Sequence, residues 1–366
     1  MSDPLFAPFH SKNLDLSNRV VMAPMTRMMS PGHVPGDASV AYYRRRAAGG
    51  VGLIITEGTC VGHKAANGYP NVPFINGDEA LAGWKRVVDA VHAEGGKIFP
   101  QLWHVGAIRR PGTGPDPAVP GYGPSGMARP GKVTGHVMSE EDIADCIDAF
   151  ARAASDAKAT GFDGVEIHGA HGYLIDQFFW DGTNQRTDRW GGSLQARSRF
   201  AVEIMKAVRA AVGPDYPVCL RWSQWKQQDY AAKLVTSPAE METFLGPLVD
   251  AGADLLHCST RRFWEPEFEG SNLNLAGWAK KLTGVPTITV GSVGLDSDFI
   301  KEGTSEMAEG GVTSLDTLYE RLERDEFDLV AVGRALIANP EWANLVQAGR
   351  AEQLQGYKKE MLGSLV

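Results

Sequence analysis

The chain has 366 residues, 43% hydrophobic and 22% charged, with a formal net charge of −8. That balance is ordinary for a globular enzyme and disfavours nucleic acid or anionic membrane as the main partner, since both attract basic patches. Four scattered cysteines, Cys60, Cys146, Cys219 and Cys258, form no Cys-x-x-Cys pair, which fits buried free thiols in a reducing compartment better than disulfides or a zinc site.

In chain order, a short N-terminal arm leads to an apolar run, Arg19–Thr26, and a helical segment over 38–48. A second run, Val51–Gly58, precedes residues 78–94, where Leu81, Trp84, Val87, Val88 and Val91 share one stripe at helical spacing. Gly95-Gly96 opens a third run, Lys97–Trp103. Residues 105–138 then break the rhythm, rich in Gly and Pro without a sustained period; so long an excursion inside a compact domain is usually functional. Ser139-Glu-Glu-Asp142 reads as a capping box opening a helix with Ile143, Ile147, Phe150, Ala154 and Ala157 on its stripe. A fourth run begins at Phe162. Beyond it the spacing predicts helices over 194–212, 239–249, 275–282 and 315–324, each followed by an apolar run: Pro217–Trp222, Asp254–Cys258, Pro286–Gly291 and Asp328–Gly333. A last helix follows Asn339-Pro340.

Apolar strands alternating with amphipathic helices predict the α/β class, a parallel sheet covered by helices. Eight such units predict a single (β/α)8 TIM barrel over 1–366, with an N-terminal arm and long βα-loop insertions. No signal peptide and no apolar run long enough to span a bilayer is visible. The expectation is a cytoplasmic protein acting on a small molecule, with no nucleic acid or membrane partner, as a monomer or homodimer.

Thr26, Glu57, Gln101, His104, His168, Arg221 and Arg334 each fall at or near the C-terminal end of a predicted strand, the end that carries the active site in this fold. Singly, each is as well explained by loop hydrogen bonds. Gly291-Ser-Val-Gly294 and Gly333-Arg334 end the last two strands, where backbone N–H groups commonly hold phosphate. Gly121-Tyr-Gly-Pro-Ser-Gly126 fits a dinucleotide fingerprint, but no strand precedes it and no helix opens on it, so it reads as loop.

Residues 162–193 carry His168, His171 and Tyr173 within six positions, with Glu166 on the same strand face as His168. Two histidines could bind a metal if a third ligand such as Glu166 converged with them. They could instead donate hydrogen bonds to a substrate oxygen and stabilise charge developing there. Tyr173 would stay protonated at neutral pH and serve as a general acid.

With these residues on the page, the chain resembles the Old Yellow Enzyme family of FMN-dependent ene-reductases along nearly its whole length. The resemblance rests on His168-Gly-Ala-His-Gly-Tyr-Leu-Ile-Asp-Gln-Phe178 and Asn184-Gln-Arg-Thr-Asp-Arg-Trp-Gly-Gly-Ser193. Ala23-Pro-Met-Thr26, Gln101-Leu-Trp-His-Val-Gly106, Val332-Gly-Arg-Ala335 and Asn339-Pro340 support it. It implies a non-covalent FMN at the barrel mouth, reduced by NADPH or NADH. It assigns Thr26 to the flavin O4 region, Gln101 to the pyrimidine edge and Arg221 to N1 and O2. Pro24, Met25 and Gly58 would touch the ring through backbone, and Gly291, Ser292, Gly333 and Arg334 would hold the phosphate. His168 and His171 would grip the substrate oxygen while Tyr173 protonates the α-carbon.

The implied reaction is ping-pong reduction of the C=C bond of enones and nitroalkenes, with hydride from flavin N5. Nitro compounds or nitrate esters are an alternative at the same site. A metal-dependent lyase or hydrolase using His168 and His171 is the alternative of a different class. The chain departs from the family pattern at Ala107-Ile-Arg-Arg110, in the aromatic, charged stretch Arg261–Glu269, and in the long acidic stretch 294–311.

Overall fold

A computed structural model describes residues 3–12, 14–300 and 308–366. Eight parallel strands close into a barrel: β1 (Val20–Met22), β2 (Leu53–Cys60), β3 (Lys97–Trp103), β4 (Val165–His171), β5 (Val218–Lys226), β6 (Leu255–Ser259), β7 (Thr287–Val290) and β8 (Leu329–Val332). Strands adjacent in sequence are adjacent in space, and β8 closes on β1 with Val330 opposite Val20. Between them in sequence run α1 (Asp37–Ala48), α2 (Asp78–Ala93), α3 (Glu140–Thr160), α4 (Arg199–Val212), α5 (Pro238–Asp250), α6 (Leu275–Thr283) and α7 (Asp316–Glu323), and α8 (Trp342–Gln347) follows β8. The expected helix over 194–212 is divided, a one-turn helix Leu194–Arg197 preceding α4. The capping box is present: Ser139 Oγ accepts from Asp142 N, and the Asp142 carboxylate accepts from Ser139 N at 2.8 Å.

Strand alternation divides the core into two layers. One buried cluster lies between sheet and helices and includes Ile54, Ile98, Ile167, Leu220 and Leu256 together with Val87, Val91, Phe150 and Ala154. The other fills the barrel: Val21, Leu53, Ile55, Phe99, Cys219, Leu255, Ile288 and Leu329. An N-terminal hairpin, Phe9–Ser11 paired with Leu14–Leu16, adds Phe9, Leu14 and Leu16 to this inner cluster. It stoppers the barrel at the strands' N-terminal ends, each apolar side chain contributing about 1.5–3 kcal/mol of transfer free energy.

Above that apolar floor the inward columns turn polar. Phe99 is followed two residues on by Gln101, Cys219 by Arg221 and Ser223, and Leu255 by His257 and Ser259, all of them buried. The register sets Glu166 beside Gln101, His168 beside Arg221, and Arg221 beside His257. The polar layer therefore forms one connected arc across β3, β4, β5 and β6 at the barrel's C-terminal end.

The excursion 105–138 is held by two small ribbons, Tyr122–Gly123 with His136–Val137 and Met127–Arg129 with Lys132–Val133. The buried Arg109 guanidinium donates to five backbone carbonyls: Val119, Asn67, Gly114, Thr113 and Asp116. The Gly-x-Gly-x-x-Gly match opens no helix. Gly121 and Gly126 are required instead by close backbone, since a Cβ there would meet the Arg109 carbonyl at 2.8 Å and the Gly135 carbonyl at 2.6 Å. No helix among the described residues is long and apolar enough to cross a membrane.

Candidate active site

The end of β4 builds the centre of the site. His171 has φ +65° and Gly172 has φ +79°, a left-handed pair that turns the chain sharply and sets Tyr173 as the N-cap of a short helix, Leu174–Phe179. A Cβ on Gly172 would collide with the Gln228 side chain, so glycine is needed there for space as well as conformation. A fully buried ion pair holds the turn. Lys226 Nζ lies 2.7 Å from Asp176 Oδ1, and Asp176 Oδ2 accepts from Gly172 N at 2.7 Å.

The turn brings the three predicted side chains together. The His168 ring lies 5.1 Å from His171 and 5.1 Å from Tyr173, edge to face in both cases. Burial, then the positive charge of Arg221, holds both imidazoles well below their ordinary pKa, so both are neutral at pH 7. His168 Nδ1 is buried without a partner among the described residues. His171 shares a 2.8 Å hydrogen bond with Ser259 Oγ and stacks on Trp225 at 4.4 Å. Tyr173 Oη accepts from Gln227 Nε2 at 3.0 Å and lies 3.3 Å from Tyr69 Oη. Burial, then Tyr69, raises the Tyr173 pKa well above 10, so the group is a proton donor at physiological pH.

Of the residues assigned to the cofactor, Arg221 stands beside His168 in the sheet register, and the others lie at or near the ends of β1, β2, β3, β7 and β8. Thr26 is exposed, on the loop after β1, with Pro24 and Met25 half-buried before it. A bulge in β2 between Ile55 and Gly58 lets Glu57 accept from the amides of Arg27 and Met28 at 2.8 and 3.2 Å, which fixes the loop that presents Thr26. Gly58 is buried because Trp103 packs where a Cβ would stand, 2.5 Å away. Gln101 Nε2 donates to Glu166 Oε1 at 2.8 Å, which leaves Gln101 Oε1 as a free acceptor. Arg221 Nε is buried without a partner among the described residues, and Nη2 lies 3.5 Å from Ser259 Oγ. An acceptor that takes no hydrogen bond among the described residues and a buried cation with an unpartnered N–H suit the pyrimidine edge of a flavin, so the ring site fits FMN.

At the phosphate end the side chains are engaged. Ser292 Oγ donates to the carbonyls of Arg261 and Ser297, and Arg334 donates to those of Ser297 and Ala308 at 2.5 and 2.9 Å. The backbone remains suited: Gly291 has φ +149° and Ser292 has φ +54°, while Gly333 caps the short helix Arg334–Ala338, whose first N–H groups lack intrahelical partners. Part of the stretch 294–311 lies outside the described residues.

Glu166 does not converge with His168 and His171 as a metal ligand would. It sits a layer deeper, bonded to Gln101 and to His257 Nδ1 at 2.6 Å. A different group, His63, His104 and Cys146, has metal-like spacing among the described residues. Hydrogen bonding argues against a metal there. His104 Nδ1 accepts from Gly106 N at 3.0 Å, so a neutral ring carries its hydrogen on Nε2, facing His63 Nδ1 at 2.9 Å. His104, expected on the rim, thus braces the loop behind it.

Sequence reading passed over Tyr69, Gln227, His257, Ser259 and the Asp176–Lys226 pair. Tyr69 and Gln227 lie in loops that carry no periodic signal. His257 and Ser259 could have been found by carrying inward alternation along β6.

The chain matches the model of the NADH:flavin oxidoreductase / NADH oxidase family over residues 4–353. It is 36% identical to 12-oxophytodienoate reductase 2 of Arabidopsis thaliana over 356 residues, 93% of this chain and 87% of that protein. It is 37% identical to chanoclavine-I aldehyde reductase of Penicillium roqueforti over 351 residues, covering 94% and 89%. Among solved structures it resembles morphinone reductase in complex with tetrahydroNAD, with a TM-score of 0.82, 31% identity, and 98% and 93% of the two chains covered.

Proposed function

The chain belongs to the Old Yellow Enzyme family of FMN-dependent oxidoreductases, which reduce activated C=C bonds with NAD(P)H, and from that premise we propose how its residues divide the work. His168 and His171 hold the carbonyl or nitro oxygen of an enone or nitroalkene, and Tyr173 donates a proton to its α-carbon. The observation that carries this reading is a pair of neutral histidines, one of which, His168, stands edge-on both to the other and to a buried, protonated tyrosine.

When bound, FMN supplies the hydride that the alkene's β-carbon accepts. Thr26, the free Oε1 of Gln101 and the Arg221 guanidinium hold the ring, with Pro24, Met25 and Gly58 along it. Backbone at Gly291, Ser292 and Gly333 holds the phosphate, and Arg334 joins by exchanging its carbonyl partners for phosphate oxygens. Neutral imidazoles suit the substrate because each donates an N–H without burying a second cation beside Arg221. They draw electron density toward the oxygen and leave the β-carbon electrophilic. The Tyr173 proton goes to the α-carbon, and Gln227 stabilises the oxygen left behind.

Tyr173→Phe tests the reading. Anaerobic stopped flow should show cofactor reduction by NAD(P)H near the wild-type rate and alkene reduction slowed about 10²-fold or more, the range for loss of a general acid. Equal slowing of both half-reactions would remove the assignment. His168→Ala and His171→Ala should each weaken binding of a phenolate-forming phenol, read by absorbance titration.

A further inference from the structure

Glu166 is fully buried in the barrel, yet no step above uses it. A buried carboxylate is costly unless paired and hydrogen-bonded. Glu166 Oε1 accepts from Gln101 Nε2 at 2.8 Å, and Oε2 accepts from His257 Nδ1 at 2.6 Å and from Cys219 Sγ at 3.6 Å. Burial alone would raise its pKa, but His257, Arg221 and Gln101 outweigh burial and hold it below the ordinary value. It is therefore an anion directly below the site.

The pairing is unusual in what it leaves out. No hydrogen bond joins Glu166 to Arg221 among the described residues, although Arg221 is beside His168 and His257 in the sheet register. An arginine buried near a carboxylate for stability alone normally takes it in a two-pronged pair. Here the Gln101 amide, the His257 imidazole and the Cys219 thiol occupy the carboxylate, and the guanidinium stays directed elsewhere, its Nε unpartnered among the described residues.

We infer that Glu166, with His257, is a positioning residue for the cofactor: it fixes which end of the Gln101 amide faces the flavin and offsets the charge of Arg221 beneath it. The inference rests on the proposed placement of Gln101 and Arg221 against the FMN ring. Because Gln101 donates downward to Glu166, it presents Oε1 upward, an acceptor for the ring N–H. Because Glu166 is negative, the site receives less than the full positive charge of Arg221. The carboxylate opposes the negative charge that FMN gains on reduction and keeps the reduction potential lower than Arg221 alone would set it.

Glu166→Gln keeps the shape while removing the charge: its oxygen still accepts from Gln101, and its Nε2 donates to a His257 ring that carries its hydrogen on Nε2 instead of Nδ1. In the full-length FMN-loaded enzyme, the ratio of affinities for reduced over oxidised FMN should rise about tenfold. Read by anaerobic spectroelectrochemical titration, that is an upward shift of about 30 mV for a two-electron couple. A wild-type potential with FMN bound overturns the inference. If Glu166→Gln does not load FMN, His257→Leu decides: it removes the 2.6 Å donor, lets burial favour the protonated carboxyl and should shift the potential upward, whereas no shift overturns the proposal. Arg221→Met tests the underlying placement. It should lower the potential and weaken FMN binding read by fluorescence quenching. If both stay unchanged, Arg221 does not face the ring, and the placement fails together with the inference built on it.

Discussion

Gln227 donates a hydrogen bond from Nε2 to the Tyr173 hydroxyl across 3.0 Å, linking the loop after β5 to the turn after β4. A donor on that oxygen stabilises the tyrosinate and pulls against the burial that raises the pKa. Gln227→Leu should therefore raise the Tyr173 pKa further and slow alkene reduction about tenfold, the effect of about 1.4 kcal/mol. Cofactor reduction should stay unchanged. The oxidative half-reaction, followed against pH, is the measurement. An unchanged rate and pH profile would show that the contact has no catalytic part.

The buried pair Lys226–Asp176 fixes the Gly172 amide and thereby Tyr173. Asp176→Asn leaves the ammonium buried without its counter-charge, and urea unfolding should show a loss of about 3–5 kcal/mol. Replacing both partners with apolar residues, Asp176→Leu with Lys226→Met, should recover much of that stability. It should not recover alkene reduction, because the Gly172 amide would still lack its acceptor.

Glu57 gives a pH prediction of definite sign. Burial, opposed by the amides of Arg27 and Met28 and the Arg27 charge, raises its pKa from 4.5 to about 7. Between those values the folded chain holds a proton that the unfolded chain has released. The stability this contributes is complete below pH 4.5 and is lost as pH rises through 7, by at most ~3 kcal/mol. Glu57→Gln should lose less stability than the wild type between pH 5 and pH 8, as read by thermal melting at both pH values. Parallel behaviour of the two proteins would refute the assignment.

Arg109 gathers five carbonyls of the excursion and its surroundings around one guanidinium. Arg109→Ala should open residues 110–120 to limited proteolysis well below the unfolding temperature. Arg109→Lys should protect only in part, since an ammonium cannot reach every acceptor of the planar fork. Cleavage kinetics indistinguishable from wild type would show that the ribbons alone order the segment.

The barrel was legible because its signal is redundant. Each strand is an apolar run, each helix has a stripe, and Ser139–Asp142 marks the start of α3 in the letters themselves. His168, His171 and Tyr173 were legible as a cluster because a tight turn keeps sequence neighbours together in space. Gln227 was not, because β5 continues four residues beyond the expected Trp222, to Lys226. Its last residues, Ser223-Gln-Trp-Lys226, break the apolar run, so the strand's true end is not marked in the letters. The short helix Leu174–Phe179 hid for the opposite reason: all six residues are buried, Asp176 and Gln177 included, so no exposed polar face marks it. Glu166 could be read as a metal ligand from spacing alone. Its commitment to Gln101 and His257 depends on strand register, which no local pattern carries.

The N-terminal hairpin, far from the chemistry, governs traffic. With Phe9, Leu14 and Leu16 packed beneath a barrel interior already filled by side chains, the described residues leave no passage through that end, and whatever enters at the mouth must leave the way it came. Reductant and alkene then queue for the same threshold, so a crowd of either should obstruct the other. Turnover that declines at high concentration of one reactant, and recovers when the second is raised, is the kinetic mark of that one-door design.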